Sequence, residues 1–286
     1  MPTEPRVLVT GVSGFIASWV AYGALKVGYR VRGTVRSLAN EDKVRHLRDL
    51  CPGSKHQIEL VEADLTSDAG WDRAVEGCQY ILHVASPFVV GEPRDPNELI
   101  VPAVEGTLRV LRAAAALETL PLRVIVTSSV AAVANGHTKT DFNDDDWSVL
   151  DNPKVPVSAY PQSKTLAESA AWKFVEALPE NRRFELATIN PSAVLGPMLS
   201  SNNCASGEIV AKILLAQFPA LPDVKFARVS VFDVARAHLL AMTHPDAAGK
   251  RFIVSAAQSG IQEYAQVINR EFRKYRYSPV SMHAPS

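Results

Sequence analysis

An α/β fold, with a doubly wound parallel sheet joined to a smaller C-terminal lobe, is what this sequence predicts. Short β-branched runs alternate with longer helix-like segments from residue 6 to about residue 190. That alternation is the mark of βαβ units and a parallel sheet. The first run passes through a glycine-rich turn, Gly11-Val-Ser-Gly14, straight into a helix, the order in which sheets of this class hold a dinucleotide pyrophosphate. After Gly196 the alternation loosens, and this sets the second lobe apart.

The first strand is 6–10 (RVLVT), with a helix over 14–27. A second strand spans 29–36 (YRVRGTVR), followed by a helix at 40–50. The third strand is 57–61, with a short helix at 71–76, and the fourth is 80–84. A long helix rich in alanine and leucine covers 97–117, and the fifth strand is 122–127 (LRVIVT). Crossovers between such parallel strands are nearly always right-handed, so few topologies remain. Residues 134–157 break the rhythm, and their Asp, Asn and Pro content marks a surface excursion. A helix resumes over 158–178, and a sixth strand, 184–189, is ended by Pro191. Beyond it helices are expected at 207–217, 231–243 and 261–274, with a short strand at 251–254. The division that results is a dinucleotide-binding domain over 1–190 and a smaller substrate-binding lobe over 191–286, interwoven with the first.

Composition narrows the classes of function. Lysine plus arginine number 30 and aspartate plus glutamate 30, so the formal net charge is zero. A neutral chain is a poor general binder of nucleic acid or anionic membranes. Cys51, Cys78 and Cys204 are far apart and lack metal-knuckle spacing, which fits reduced thiols in the cytoplasm and no metal site. The start, MPTEPRVLVTG, lacks a secretory apolar stretch. No run approaches the ~20 apolar residues of a membrane span. A cytoplasmic monomer or homodimer is expected.

Pyrophosphate binding needs a tight turn, close backbone approach and a helix N-terminus aimed at the anion. Gly11 supplies the turn, Gly14 the approach, and the small Ala17 the close packing of helix on strand. The end of the second strand indicates the cofactor. NAD enzymes commonly carry an acid there for the ribose hydroxyls. None lies between Val31 and Asn40; Arg32 and Arg36 stand there instead, with Lys43 beyond. A guanidinium pairs with phosphate in bidentate fashion, so NADP is the expected cofactor and Arg36, at the strand end, its main reader.

Tyr160-Pro-Gln-Ser-Lys164 opens the helix at 158–178, and its spacing puts tyrosine and lysine on one face. A free phenol titrates near pH ~10, and a neighbouring ammonium favours the phenolate. Tyr160 is therefore the expected acid for a carbonyl oxygen as hydride arrives at carbon, and the base in reverse. Thr127-Ser128-Ser129 ends the fifth strand, at the carboxyl edge where ligands bind in open sheets. A hydroxyl there is placed to orient the substrate oxygen.

These segments, together with RGTVR (32–36), ADL (63–65), HVASP (83–87), EGT (105–107), NPSAVLGP (190–197) and VFDVARAHLLAM (231–242), carry a wider likeness. The chain resembles, over nearly its whole length, the extended short-chain dehydrogenase/reductase family. Within that family it is most similar to the dihydroflavonol 4-reductase and cinnamoyl-CoA reductase group. The resemblance implies a Rossmann domain, an NADP-dependent oxidoreductase acting on the CH–OH/C=O pair, and a small-molecule carbonyl substrate. By it, Ser129, Tyr160 and Lys164 would be the catalytic triad, with Ser129 polarising the carbonyl and Lys164 also binding the nicotinamide ribose. Gly11, Ser13, Gly14, Phe15 and Ile16 would contact the cofactor at the turn, and Arg36 and Lys43 its 2′-phosphate. Asp64 and Leu65 would meet the adenine. Val84, Ala85 and Ser86 would line the cofactor at the fourth strand, with Thr127 also in contact. Pro191, Ser192, Ala193 and Val194 would close over the nicotinamide side.

Two departures pull the substrate away from the best-known activities of that group. Ala134 stands where flavonoid-reducing members carry a substrate-binding asparagine, and VPVSAY stands where CoA-thioester reducers have a stretch with cysteine and tryptophan. Arg109 stands where an asparagine often follows the Gly-Thr pair. Members usually continue well past the point where this sequence stops, so the ending SPVSMHAPS is expected to be a truncated or variant tail. A hydroxysteroid-type dehydrogenase, a cinnamoyl-CoA reductase-like enzyme, a sugar-nucleotide epimerase and a non-catalytic NADP-binding paralogue stay open as alternatives. Elsewhere Asp144-Asp145-Asp146 reads as a solvated loop and His83 as a packed or backbone-bonded histidine. Arg123 and Arg236 read as surface or structural, Phe226, Phe232 and Met242 as core, and Cys204 as a loop cysteine.

Overall fold

Alternation along the first strand decides which layer each residue enters. β1 (Arg6–Val9) sends Val7 and Val9 into one hydrophobic cluster and Leu8 into another, because successive side chains of a strand point to opposite faces. The same division recurs in β4 (Tyr80–His83), with Leu82 on one side and Ile81 on the other, and in β5 (Arg123–Thr127), with Ile125 opposed to Val124 and Val126. A sheet apolar on both faces must be covered on both. The computed structural model describes residues 4–87, 93–200, 205–217, 221, 224–272 and 274. Cys204 lies outside them.

The remaining elements of the large sheet and its cover follow in chain order. After β1 come α1 (Phe15–Lys26), β2 (Arg30–Val35), α2 (Glu41–Arg48), β3 (Glu59–Glu62) and α3 (Trp71–Val75). After β4 comes α4 (Asn97–Ala116); after β5 come α5 (Ala159–Ala177) and β6 (Glu185–Pro191). The seven strands run in the order β3-β2-β1-β4-β5-β6-β9, all parallel, where β9 is Arg251–Val254. One face is covered by α1, α2 and α7 (Val231–Thr243), the other by α3, α4 and α5. The doubly wound parallel α/β sheet expected from the sequence is therefore present. Among the described residues no helix is long and apolar enough to cross a membrane.

A second, three-stranded sheet orders β10-β8-β7, from β7 (Ala193–Leu195), β8 (Lys225–Ser230) and β10 (Ala257–Gly260). It is flanked by α6 (Ala205–Leu214) and α8 (Ile261–Phe272), whose Ile213, Ile261, Ala265 and Ile268 share a small core. The helical and Arg251–Val254 expectations hold here, but these three strands were not foreseen. They are short, and AQSG carries no β-branched residue, so pairing rather than propensity makes them strands. The sixth strand also runs through Pro191, which sits at its last position, where a missing donor is tolerated.

Polar side chains pin the ends. Arg123, read as surface or structural, is buried and donates from Nη1 to the carbonyls of Ala241 and His244, both at 2.6 Å, closing the C-terminal end of α7. Asp144 is more than a solvated acid: its carboxylate accepts from Ile253 N–H at 2.6 Å, satisfying a donor of the edge strand β9. Met242 is core, Phe226 is half-buried and stacked on Tyr264, but Phe232 is half exposed, set edge-on against Trp19.

His238 on α7 is fully buried, with Nδ1 2.8 Å from the Val234 carbonyl and Nε2 2.7 Å from Thr127 Oγ1. Burial pushes its pKa down to about 4, and burial followed by the nearby Lys164 charge pushes His83 to about 3. Above pH ~6.5 both histidines are neutral folded or unfolded, and their contribution is flat. Below it the unfolded chain takes up protons that the folded chain refuses, so stability falls as pH drops toward those values. Urea unfolding should show a loss of about 2 kcal/mol per histidine between pH 7 and pH 5. His238→Gln should remove its share of that loss; a pH slope unchanged by the substitution would exclude His238 as a source.

Candidate functional site

The strand order reverses at β1, with β2 on one side and β4 on the other. That reversal opens a crevice at the carboxyl ends of the strands, and Gly11 sits in it. Its φ of +67° is one L side chains rarely adopt, and a Cβ there would lie 3.0 Å from the Ala85 Cβ. Two threonines hold the turn. Thr34 Oγ1 accepts from Gly11 N–H at 2.9 Å and its carbonyl accepts from Val12 N–H at 3.0 Å. Thr10 Oγ1 accepts from Ala85 N–H at 2.9 Å and bonds His83 Nδ1 at 3.0 Å. His83 is therefore packed and bonded to a side chain rather than to backbone.

Gly33 has a part the sequence did not reveal. A Cβ on it would come within 2.6 Å of Val12 Cγ2, so only glycine lets the turn lie against β2. Gly14 caps α1 with no side-chain hydrogen bond to the helix, leaving the first-turn N–H groups directed at the crevice. Ser13 is half-buried in the turn. Phe15 and Ile16 pack against Val194, Val229, Val231 and Val234, and so join the turn to the small sheet.

At the end of β2 the two arginines part company. Arg32 is buried; Nη1 donates to the carbonyls of Arg73, Ala74 and Glu76, and Nη2 pairs with Glu59 at 3.0 Å. It closes the end of α3 and is not a phosphate reader. Arg36 is exposed, and Lys43 stands exposed in the first turn of α2. Leu38 N–H, just beyond Arg36, donates to Glu62 Oε1 at 2.6 Å, an acid contributed by β3 rather than by the 31–40 segment. Asp64 is held below the usual carboxylate range by the Thr66 backbone N–H, then the Thr66 hydroxyl and the Arg36 and Arg109 charges, against a burial effect. Arg109 donates to the Leu65 carbonyl and pairs with Asp68, and Leu65 lies under Gly106. Arg109 thus pins the loop after β3.

A polar pocket lies beyond β4 and β5, lined by residues that include His83, Ala85, Ser86, Thr127, Ser128 and Lys164. Lys164 Nζ donates to Ser86 Oγ at 3.0 Å and lies 6.0 Å from the centroid of the Tyr160 ring. Tyr160 is 47 % exposed, open to an incoming molecule. Val84 is half-buried beside Ala85. Ser129 caps a short 3-10 turn, Val130–Ala132: its Oγ accepts from Ala131 N–H at 3.1 Å and lies 3.5 Å from the Pro191 carbonyl. That turn packs against α5, which carries Tyr160 and Lys164. Pro191, Ser192 and Val194 are buried and Ala193 half-buried where β6 passes into β7. Thr127 lines the pocket while its hydroxyl meets His238.

Three residues to which the sequence assigned no site role tie this region together: Glu168, Asn190 and Arg251. Glu168 follows Lys164 by one helical turn on α5, and that spacing was the one available signal.

Comparison with known proteins agrees with this geometry. Residues 7–256 match the NAD dependent epimerase/dehydratase family. A cinnamoyl-CoA reductase of Medicago truncatula is 40% identical over 273 residues, covering 92% of this chain and 78% of its own length. A bifunctional dihydroflavonol 4-reductase/flavanone 4-reductase of Pyrus communis is 34% identical over 274 residues, covering 94% and 77%. Among solved structures, Gre2 from Candida albicans in complex with NADPH superposes with a TM-score of 0.83 at 30% identity, covering 99% of this chain and 87% of that one.

Gly33→Ala tests the turn. The added methyl must displace Val12, a strain of about 1–3 kcal/mol, and with it the Gly11 backbone. Denaturant unfolding should register that loss, and fluorescence titration should show dinucleotide binding weakened several-fold. A variant with the parent's stability and affinity would show that the turn does not depend on this contact.

Proposed function

Because the chain belongs to the NAD dependent epimerase/dehydratase family, we propose that it is an NADPH-dependent reductase of a small aldehyde or ketone, worked by Ser129, Tyr160 and Lys164. One observation carries the reading: the Lys164 ammonium lies at the carboxyl ends of β4 and β5, bonded to Ser86 Oγ at 3.0 Å and 6.0 Å from the Tyr160 ring centroid. The crevice fits a dinucleotide on this chain's own geometry. Gly11 and Ala85 leave no room for a side chain between them, α1 begins without a side-chain cap, and Arg36 is exposed at the end of β2. When bound, the reduced nicotinamide supplies hydride.

The protein groups divide the remaining work. Gly11, Ser13, Gly14, Phe15 and Ile16 bind at the pyrophosphate turn, and Arg36 and Lys43 read the 2′-phosphate. Asp64 and Leu65 border the adenine; Val84, Ala85, Ser86 and Thr127 line the cofactor, and Pro191 to Val194 flank the nicotinamide. Ser129 Oγ orients the carbonyl oxygen. Tyr160 gives that oxygen its proton, and the positive charge of Lys164 favours the phenolate left behind. The dinucleotide domain over 1–190 and the substrate lobe over 191–286 belong to the same reading, with α7 and β9 returning to the large sheet. So do a monomer or homodimer and a cytoplasmic location, the latter supported by the few, dispersed cysteines.

Oxidation of NADPH with a panel of aromatic and aliphatic carbonyl compounds tests the activity; a folded preparation that reduces none of them overturns it. Tyr160→Phe should lower turnover at least ~100-fold and leave NADPH affinity nearly intact, whereas unchanged turnover would refute the acid. Arg36→Asp removes a charge-assisted contact worth roughly 1.5–3 kcal/mol, so the preference for NADPH over NADH should fall about ten- to a hundred-fold. An unaltered ratio would assign the phosphate to another residue.

A further inference from the structure

Glu168 lies in the middle of α5, 1 % exposed, and is the hub of a buried polar cluster. The Ser128 hydroxyl at the end of β5 donates to Oε2, and Asn190 Nδ2 on β6 donates to the same oxygen at 2.8 Å. Thr188 Oγ1 donates to Oε1 at 3.0 Å, and Arg251 Nε on β9 donates to Oε1 at 2.6 Å. The Asn190 amide also reaches the Ser129 carbonyl at 3.2 Å. Arg251 extends the cluster outward, donating to the carbonyls of Asp144, at 3.0 Å, and Asp146, with its guanidinium 3.8 Å from the Trp147 ring centroid. Those residues belong to the 134–157 excursion, which leads into α5 and Tyr160.

A buried ion pair is weak evidence for stability, since well-packed apolar residues often serve as well. What an apolar pair cannot do is fix direction through several hydrogen bonds at once. Glu168 stands one helical turn after Lys164 and two after Tyr160, and its carboxylate grips the residue beside Ser129 and the amide that holds the Ser129 carbonyl. From this we infer that Glu168, paired with Arg251, is a positioning residue that sets Ser129 against Tyr160 and Lys164. The inference rests on the reductase reading above. It adds that the serine and the tyrosine, on separate elements, owe their alignment to one carboxylate buried in the wall of the same pocket.

Glu168→Gln keeps the shape and an acceptor but breaks the charge pairing. Measured with NADPH and the carbonyl compound the wild-type chain reduces best, its kcat should fall about 100-fold, the cost of a misplacement near 1 Å. NADPH affinity should stay within about two-fold, because none of the turn residues touches this cluster. The deuterium isotope effect with 4-deuterated NADPH should rise as hydride transfer becomes limiting. Hydrogen exchange should quicken in residues 127–131 relative to the β1 turn. Arg251→Lys, which keeps the charge and loses the fork, should shift kcat the same way by less, and it replaces Glu168→Gln if that chain does not fold. A folded variant of either kind with parental kcat and isotope effect overturns the inference, even if its thermal midpoint drops. If the wild-type chain reduces no carbonyl compound, the reductase reading fails, and unaltered exchange at 127–131 in the variant then overturns the positioning role as well.

Discussion

The structure depends on one close approach, that of the β1 turn to its two neighbouring strands. Gly11 is wedged beside Ala85 on the β4 side, while Val12 lies against Gly33 on the β2 side. Neither contact tolerates a side chain, and two threonine hydroxyls fasten them: Thr34 to Gly11 and Thr10 to Ala85. The crevice therefore arises from sheet topology and is kept narrow by missing atoms. The helix that starts there packs its first turn on the small sheet, through Phe15, Ile16 and Trp19. Trp19 Nε1 also donates to the Pro197 carbonyl at 2.8 Å. The β1 turn and the second lobe are thus joined mechanically, although they come from opposite ends of the chain.

Long-range polar anchors do at the strand ends what apolar packing does in the middle. Arg32 closes α3, Arg123 closes α7, and Arg251 binds the loop before α5. Each is a guanidinium donating to backbone carbonyls at an element's end or in a loop, and each also meets a carboxylate: Glu59, Glu185 or Glu168. A planar fork of donors holds carbonyls on one nitrogen and a carboxylate on another in a fixed geometry, which the single nitrogen of a lysine does not. Arg32 and Arg123 pair with carboxylates at the amino ends of β3 and β6, away from the crevice, and Arg251 pairs with the buried Glu168, so the charges of these three arginines are spent inside the fold, whereas Arg36 is exposed.

The fold was legible where β-branched runs and helices follow the doubly wound rhythm, because burial on both faces writes itself into composition. It was illegible in AQSG and its partners, whose strand character comes from neighbours far away in the chain. The glycine turn and the Tyr160–Lys164 pair were legible because local spacing carries their meaning. Strand position set Arg36 ahead of Arg32 in the sequence; what it did not reveal is the set of carbonyls at the end of α3, about forty residues on, that buries Arg32. Glu168 was passed over for a related reason. A glutamate in a helix reads as solvated surface, and apart from Trp172, one helical turn on, its partners lie 20 to 83 residues away.

Electrostatics around Lys164 follow from the same arrangement. A carboxylate one helical turn away would ordinarily compete for the ammonium and blunt its field at Tyr160. Here Glu168 is already occupied by Arg251 Nε at 2.6 Å and by the hydroxyl and amide donors around it. His83, on the other side, is held neutral by burial and by the lysine itself, so it adds no second positive charge. Lys164 donates to the neutral Ser86 hydroxyl instead. Among the described residues no carboxylate pairs with its ammonium, which stands at the carboxyl ends of β4 and β5 with the Tyr160 ring centroid 6.0 Å away.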